Sequence, residues 1–312
     1  MASSAAGAPV EETLSWEAAQ RTRAGIAAVL AGVLTLLGNA LQSSVYSGMP
    51  KVYGVDALRD AAGLPIPGGR GLRTEQVLFL DSKGTELVLT GLLIALGAAL
   101  IAPALGFLFR ATRARRPMLP RMALYAVLLG PALVAVGGLV AQITLVVQAN
   151  DFASGNDFSS SAARDALGGS VLLAGQLLRQ VGILALALGF VLVSLNAMRA
   201  GLLTRFMGVL GIIAGALFVL PLGSSLPIVQ SFWLMALGAL LMGRWPGGEP
   251  PAWASGQAEP WPSQQELRER RQAAAEGAPA APADGDGAAS AQLPGVARTG
   301  GSASKKRKRK RR

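Results

Sequence analysis

From Ala24 to Pro50 the chain carries no charged residue, and from Phe206 to Gly243 it runs 38 residues without one. A hydrocarbon core of about 30 Å takes about 20 apolar residues to cross as a helix. In lipid, a helix satisfies every backbone polar group within the segment. Only 15% of the residues are charged, against about a quarter in soluble domains, and the deficit is concentrated in such runs. The chain therefore reads as an all-α integral membrane protein, a six-transmembrane-helix bundle with a disordered C-terminal tail. The spans fall at about 24–46, 86–109, 122–147, 170–198, 203–221 and 226–243. The last two are short, because "PLGSSLP" at 221–227 divides their run, so a half-buried hairpin is the alternative to two crossings.

Small residues recur along these spans at helical spacing. Gly175, Gly182, Gly189 and Asn196 stand seven apart, with Arg179 on the same face. Seven residues are nearly two helical turns, so they form one stripe. In lipid a glycine stripe lets a neighbouring helix approach closely, so this stripe, and Arg179 with it, points at protein. Thr204, Gly208, Gly211 and Gly215 repeat the pattern. Gly211 and Gly215 form a GxxxG pair that suits dimerisation, but glycines on several spans favour packing within the chain. Pro131 is expected to kink the third span.

Arginine placement orients the bundle by the positive-inside rule. Arg110, Arg113, Arg115, Arg116 and Arg121 fill one turn, and Arg199 and Arg205 flank another. Putting both turns in the cytoplasm places both termini there, in an inner or plasma membrane. Residues 1–23 are then a cytoplasmic segment, and the acidic "DFASGNDFSSSAARD" lies outside. A cleavable leader ending after Ala40 is the rival for the first span. Its length, Glu11, Glu12 and Glu17, and the later spans oppose it. The 47–85 segment is an outer loop long enough to be structured, with a short interfacial helix expected at Thr74 to Leu80.

The net charge of +11 belongs to the tail. Removing the eight basic residues Lys305 to Arg312 from the 29 leaves 21 against 18 acidic, or +3. Residues 244–312 are rich in Pro, Gly and Ala and read as disordered, with one short helix possible after Ser263. Trp245 reads as an interfacial anchor, and Trp253 and Trp261 as surface residues. The basic run suits attraction to anionic lipid headgroups of the cytoplasmic leaflet. Without an aromatic or folded module beside it, sequence-specific nucleic-acid recognition is disfavoured, and no protein partner is indicated.

The chain has no cysteine and no histidine. That removes disulfides, thiol nucleophiles, imidazole or thiolate metal ligands and His-based acid–base catalysis. No P-loop or nucleophile elbow is present, and the loop aspartates lack calcium-loop spacing. Catalytic, cofactor and metal sites are therefore expected to be absent. A charge on an intramembrane face points to function or to a paired partner. The ligand-binding candidates are Arg179 with Gln176 and Gln180 beside it, and Asn39, Gln42, Glu86 and Gln142 at the same end of other spans, with Gln230 nearby. Glu86 is the expected charge partner of Arg179. Alternatively, Arg179 and Arg199, about 30 Å apart along a helix, are two interfacial anchors with Leu167 to Leu178 projecting above the lipid. Two functional classes follow: a non-catalytic scaffold or accessory protein in which Arg179 is structural, or a transporter or binder of a small polar or anionic ligand.

The hairpin "NAMRAGLLTRFMGVLGIIAG", within residues 180–240, resembles the span–turn–span unit of uncharacterised bacterial multi-pass membrane proteins of domain-of-unknown-function families. The resemblance implies a six-helix membrane fold and no activity.

Overall fold

A computed structural model describes residues 10–66, 70–220, 226–246 and 248–259. Among these every regular element is helical: α1 (Val10–Ser47), α2 (Gly54–Ala61), α3 (Thr74–Ser82), α4 (Gly84–Arg115), α5 (Arg121–Ser154), α6 (Ser160–Ala166), α7 (Ser170–Arg199), α8 (Arg205–Val219), α9 (Ile228–Leu241) and α10 (Ala252–Ser255). Four of them, α1, α4, α5 and α7, are long and apolar enough to cross a membrane. Helices α8 and α9 have 15 and 14 residues. At 1.5 Å per residue each is about 21–22 Å long, short of a full hydrocarbon thickness. Helix α5 continues unbroken through Pro131.

The six apolar helices form a closed ring in the order α1, α4, α5, α7, α8, α9 and back to α1. Glycine makes the tightest seam. A Cβ added at Gly175 would lie 2.8 Å from the Ala141 nitrogen, and one at Gly182 would lie 2.7 Å from the Val134 nitrogen. Reciprocally, Gly130 and Gly137 of α5 face the Leu186 and Arg179 backbone of α7 at 2.6 and 2.5 Å. The two backbones meet with no room for a methyl group, as the seven-residue stripe implies. Gly215 faces the Ala187 carbonyl of α7, so this GxxxG glycine also packs within the chain. Gly25 and Gly32 of α1 meet α9 in the same manner.

One end of the ring is capped by the loops. Helix α3 covers residues 74–82, as the sequence suggests, and buries Val77 and Leu80 against Leu87, Ala149, Phe152 and Ala163. The two long loops are tied together: the Gly71 N–H donates to the Phe158 carbonyl at 2.9 Å, and Thr74 Oγ1 to the same oxygen at 3.0 Å. The Ser160 hydroxyl is hydrogen-bonded to Asp60. The 47–85 loop is therefore structured where it is described.

At the opposite, arginine-rich end two expectations change. Residues 10–23 are not a separate segment but the first turns of α1, with Thr13 and Glu17 buried. The described residues beyond Arg244 are ordered rather than disordered. Through residue 259 the chain folds back as a strap that includes α10 and buries Ala252 and Trp253. Trp253 Nε1 donates to the Leu202 carbonyl at 2.9 Å, its ring stacks on Phe107, and the Glu259 N–H donates to the Ala200 carbonyl. Trp253 is thus a core residue, because its ring and its N–H both find partners, and Trp245 packs partly buried against the same core. Beneath the strap, the Arg115 guanidinium holds both oxygens of the Glu17 carboxylate and donates to the Ala252 carbonyl at 2.7 and 3.1 Å. Trp261, the expected short helix after Ser263 and the basic run lie outside the described residues.

Candidate functional site

Two cavities open inside the ring near the capped end, and Arg179 lines both. The smaller, about 290 Å³, lies among α1, α4, α5 and α7, with Gln42, Tyr46, Gln142, Gln176 and Arg179 as its polar residues. The larger, about 790 Å³, is bounded by all six ring helices and includes Thr35, Asn39, Arg179 and Gln230 in a mostly apolar wall.

Glycine shapes this site. On α5 a Cβ at Gly138 would lie 3.5 Å from Arg179 Cδ, so the aliphatic stem of the arginine rests over bare backbone. On α4 a Cβ at Gly91 would stand 2.9 Å from Gln142 Cγ. The stripe that draws α7 onto α5 therefore also determines where the Arg179 stem runs. Apolar burial and seam packing place the helices, and the polar side chains occupy the space left between them.

The polar groups are only partly satisfied. Gln42 Nε2 donates to Gln142 Oε1 at 3.0 Å, linking α1 to α5. Gln142 is buried at 9% exposure; its Nε2 meets no well-aligned acceptor, but its amide interacts with the Tyr46 hydroxyl on the same cavity. Thr35 Oγ1, on the larger cavity, is buried and unpartnered. Thr35 Oγ1 also lies against Gly97 in the α1–α4 seam. Arg179, exposed like its neighbours Gln176 and Gln180, makes no ion pair or hydrogen bond among the described residues. Asn39 Nδ2 donates to the Thr35 carbonyl one turn back, at 2.7 Å.

Five of the seven candidates therefore converge: Arg179, Gln176, Gln142 and Gln42 on the smaller cavity, and Asn39 with Arg179 on the larger. Two do not. Glu86 ion-pairs with Lys83 at 2.9 Å across one turn of α4 and faces a separate groove with Leu41 and Phe79. The expected Arg179–Glu86 pair is absent, because a nearer cation on its own helix takes the carboxylate. Gln180 is exposed and lines neither cavity. Tyr46 and Thr35, not selected as ligand candidates from sequence, join the site. Thr35, Asn39, Gln42 and Tyr46 stand four, three and four residues apart and so share one face of α1, which was the signal available.

No carboxylate lines either cavity, and no nucleophile stands beside a base there, so the donor set suits binding an anion or a polar group. Among the described residues no group of three or more acidic, His or Cys side chains is placed to hold a metal. Above the site, the Asp157 carboxyl of the loop cap lies below its usual range because the Ser159 N–H and hydroxyl bond its charged form. The fold and site together define an all-helical membrane protein with two adjoining cavities that share Arg179. No family model matches the chain, and no curated protein or solved structure matches it.

Proposed function

We propose that this chain is a non-catalytic, six-span inner-membrane protein, both termini cytoplasmic, that binds a small anionic or polar ligand through Arg179 in a chamber formed by these cavities. The observation that carries the reading is the unpaired Arg179 guanidinium on the same cavity as the Gln142 side-chain amide. Both are hydrogen-bond donors, converging from facing helices. A carboxylate or phosphate accepts bidentately from such a fork, and the Gln142 Nε2 supplies a further donor.

The exposed apolar face of α7 supports an intramembrane Arg179. It runs from Leu188 and Leu184 through Val181 and Leu177 to Leu173, six residues past the arginine. A lipid-facing belt continuing that far argues against residues 167–178 standing in water, which the interfacial-anchor reading needs. The scaffold reading has also lost its Glu86 partner. Helices α8 and α9 serve here as the fifth and sixth crossings. They close the ring, and the start of α8 and the end of α9 lie at the arginine-rich end. Their brevity calls for local thinning of the bilayer. Tail attraction to anionic headgroups and kinship with the bacterial multi-pass families of the 180–240 resemblance fit this reading and assign no ligand.

The cysteine-free chain allows a direct test. Single cysteines at Asn39, Gln142 and Arg179 are probed in intact cells with a membrane-impermeant thiol reagent. Asp157 serves as the cap-side control and Met118, 93% exposed, as the control at the arginine-rich end. Labelling of the three site positions together with Asp157 is the expected result. Protection of all three while Asp157 reacts would sink the chamber as a ligand site. Labelling of Met118 in place of Asp157 would invert the topology.

A further inference from the structure

At the arginine-rich end a separate cleft of about 290 Å³ opens among α1, α4 and α5. Its register follows from glycine packing. Gly97 of α4 meets Thr35 of α1, and Gly38 of α1 meets Ile94, so the helices run antiparallel. Counting twelve residues on from Gly97 and twelve back from Thr35 brings Arg23 level with Phe109, beside Arg110. Both arginines line the cleft, both are exposed, and neither has an ion pair or hydrogen bond among the described residues.

These two residues are also where the charge-free stretches of α1 and α4 stop. An arginine at that boundary sits at headgroup depth, with its stem along apolar surface. Below them the cleft wall is apolar, formed by Ala102, Pro103, Leu124 and Leu128. Gly106 lines it too, and differs from the seam glycines. A Cβ there would meet only Leu128 Cδ2, at 3.5 Å, and no backbone. Gly106 is buried, but no close backbone approach there requires a glycine, and it stands in the cleft wall beside Leu128.

We infer that this cleft binds an anionic glycerophospholipid, its phosphate between Arg23 and Arg110 and one acyl chain along Gly106 and Leu128. Two unpaired cations above an apolar channel match a phosphate joined to a hydrocarbon chain. This site is distinct from the Lys305–Arg312 tail and does not depend on the Arg179 chamber.

The test measures stabilisation of the purified full-length chain in neutral-detergent micelles by phosphatidylglycerol against phosphatidylcholine, with native mass spectrometry counting bound lipid. Replacing the eight tail residues by glutamine is expected to leave one tightly held phosphatidylglycerol. R23Q/R110Q should weaken that binding about thirtyfold, each arginine contributing what one basic residue near an anionic surface does, while R23K/R110K retains most of it. G106L, which carries a side chain into the cleft from a position where a Cβ meets no backbone, should displace the lipid, while G106A, which adds only the Cβ, should leave the melting temperature of the lipid-free protein unchanged. That arm also decides the matter if R23Q/R110Q fails to fold. The proposal is overturned if phosphatidylglycerol binding survives both R23Q/R110Q and G106L, or vanishes with the tail charges. Equal stabilisation by inorganic phosphate, insensitive to G106L, would reassign the arginines to a soluble anion and overturn the lipid.

Discussion

Replacing Glu17 by alanine removes one half of the buried pair that joins α1, α4 and the strap. The Arg115 side chain is 0% exposed and that of Glu17 is 3% exposed. The guanidinium would keep the Ala252 and Ala111 carbonyls but lose its ion-pair partner among the described residues. Breaking a buried pair in this way costs about 3–5 kcal/mol, a large fraction of the roughly 5–15 kcal/mol typical of whole-domain stability. Replacing both residues, as E17L/R115M, removes the stranded charge and is expected to recover much of that loss, since apolar substitutes for buried pairs are often neutral or better. It does not restore the donors to Ala252, so the strap should stay loose. The assay is reversible unfolding in mixed micelles with increasing denaturing detergent, together with limited proteolysis of residues 244–259. A loss under about 1 kcal/mol for E17A, with the strap still protected, would refute the reasoning that this pair locks the end of the bundle.

The seam glycines and the cleft glycine should respond oppositely. G182L drives a side chain into the α5 backbone and should cost at least the roughly 1–3 kcal/mol of overpacking, whereas G106A should change the melting temperature little; equal losses for both would undo the distinction. W253A removes a stacked ring and its hydrogen bond to Leu202, so about 3–5 kcal/mol should be lost, with protease cutting appearing first inside 244–259. Asp157, lowered by its bonds to Ser159, stabilises its loop above the carboxyl's unfolded pKa and loses that contribution as pH falls through the folded one. The Ser159 amide NMR shift should titrate below the usual carboxylate range and stop titrating in D157N.

The helical membrane class, the glycine seam of α7 and the helix within the 47–85 loop were legible in the sequence because each rests on local periodicity. A charge-free run, a seven-residue repeat or a short apolar period needs no knowledge of neighbours. The convergence of Gln42, Gln142, Gln176, Asn39 and Arg179 was also readable, since spans of known direction bring their corresponding ends together. What failed were pairings. Glu86 took Lys83 because that cation lies one turn away on its own helix, while reaching Arg179 would need a route across the ring. The strap was missed because 244–259 is rich in proline and glycine and has no apolar period. It folds through single long-range contacts: Trp253 on Phe107, Ala252 on Arg115, Glu259 on Ala200.

By itself, then, the sequence determined which segments are apolar helices, which faces carry small residues and where charge is excluded, because these follow from solvation and helical geometry along the chain. The tertiary structure alone decided the ring order of those helices and the partners of Glu17 and Glu86. It also decided which polar side chains share a cavity with Arg179. Those outcomes depend on which side chains reach one another across the bundle.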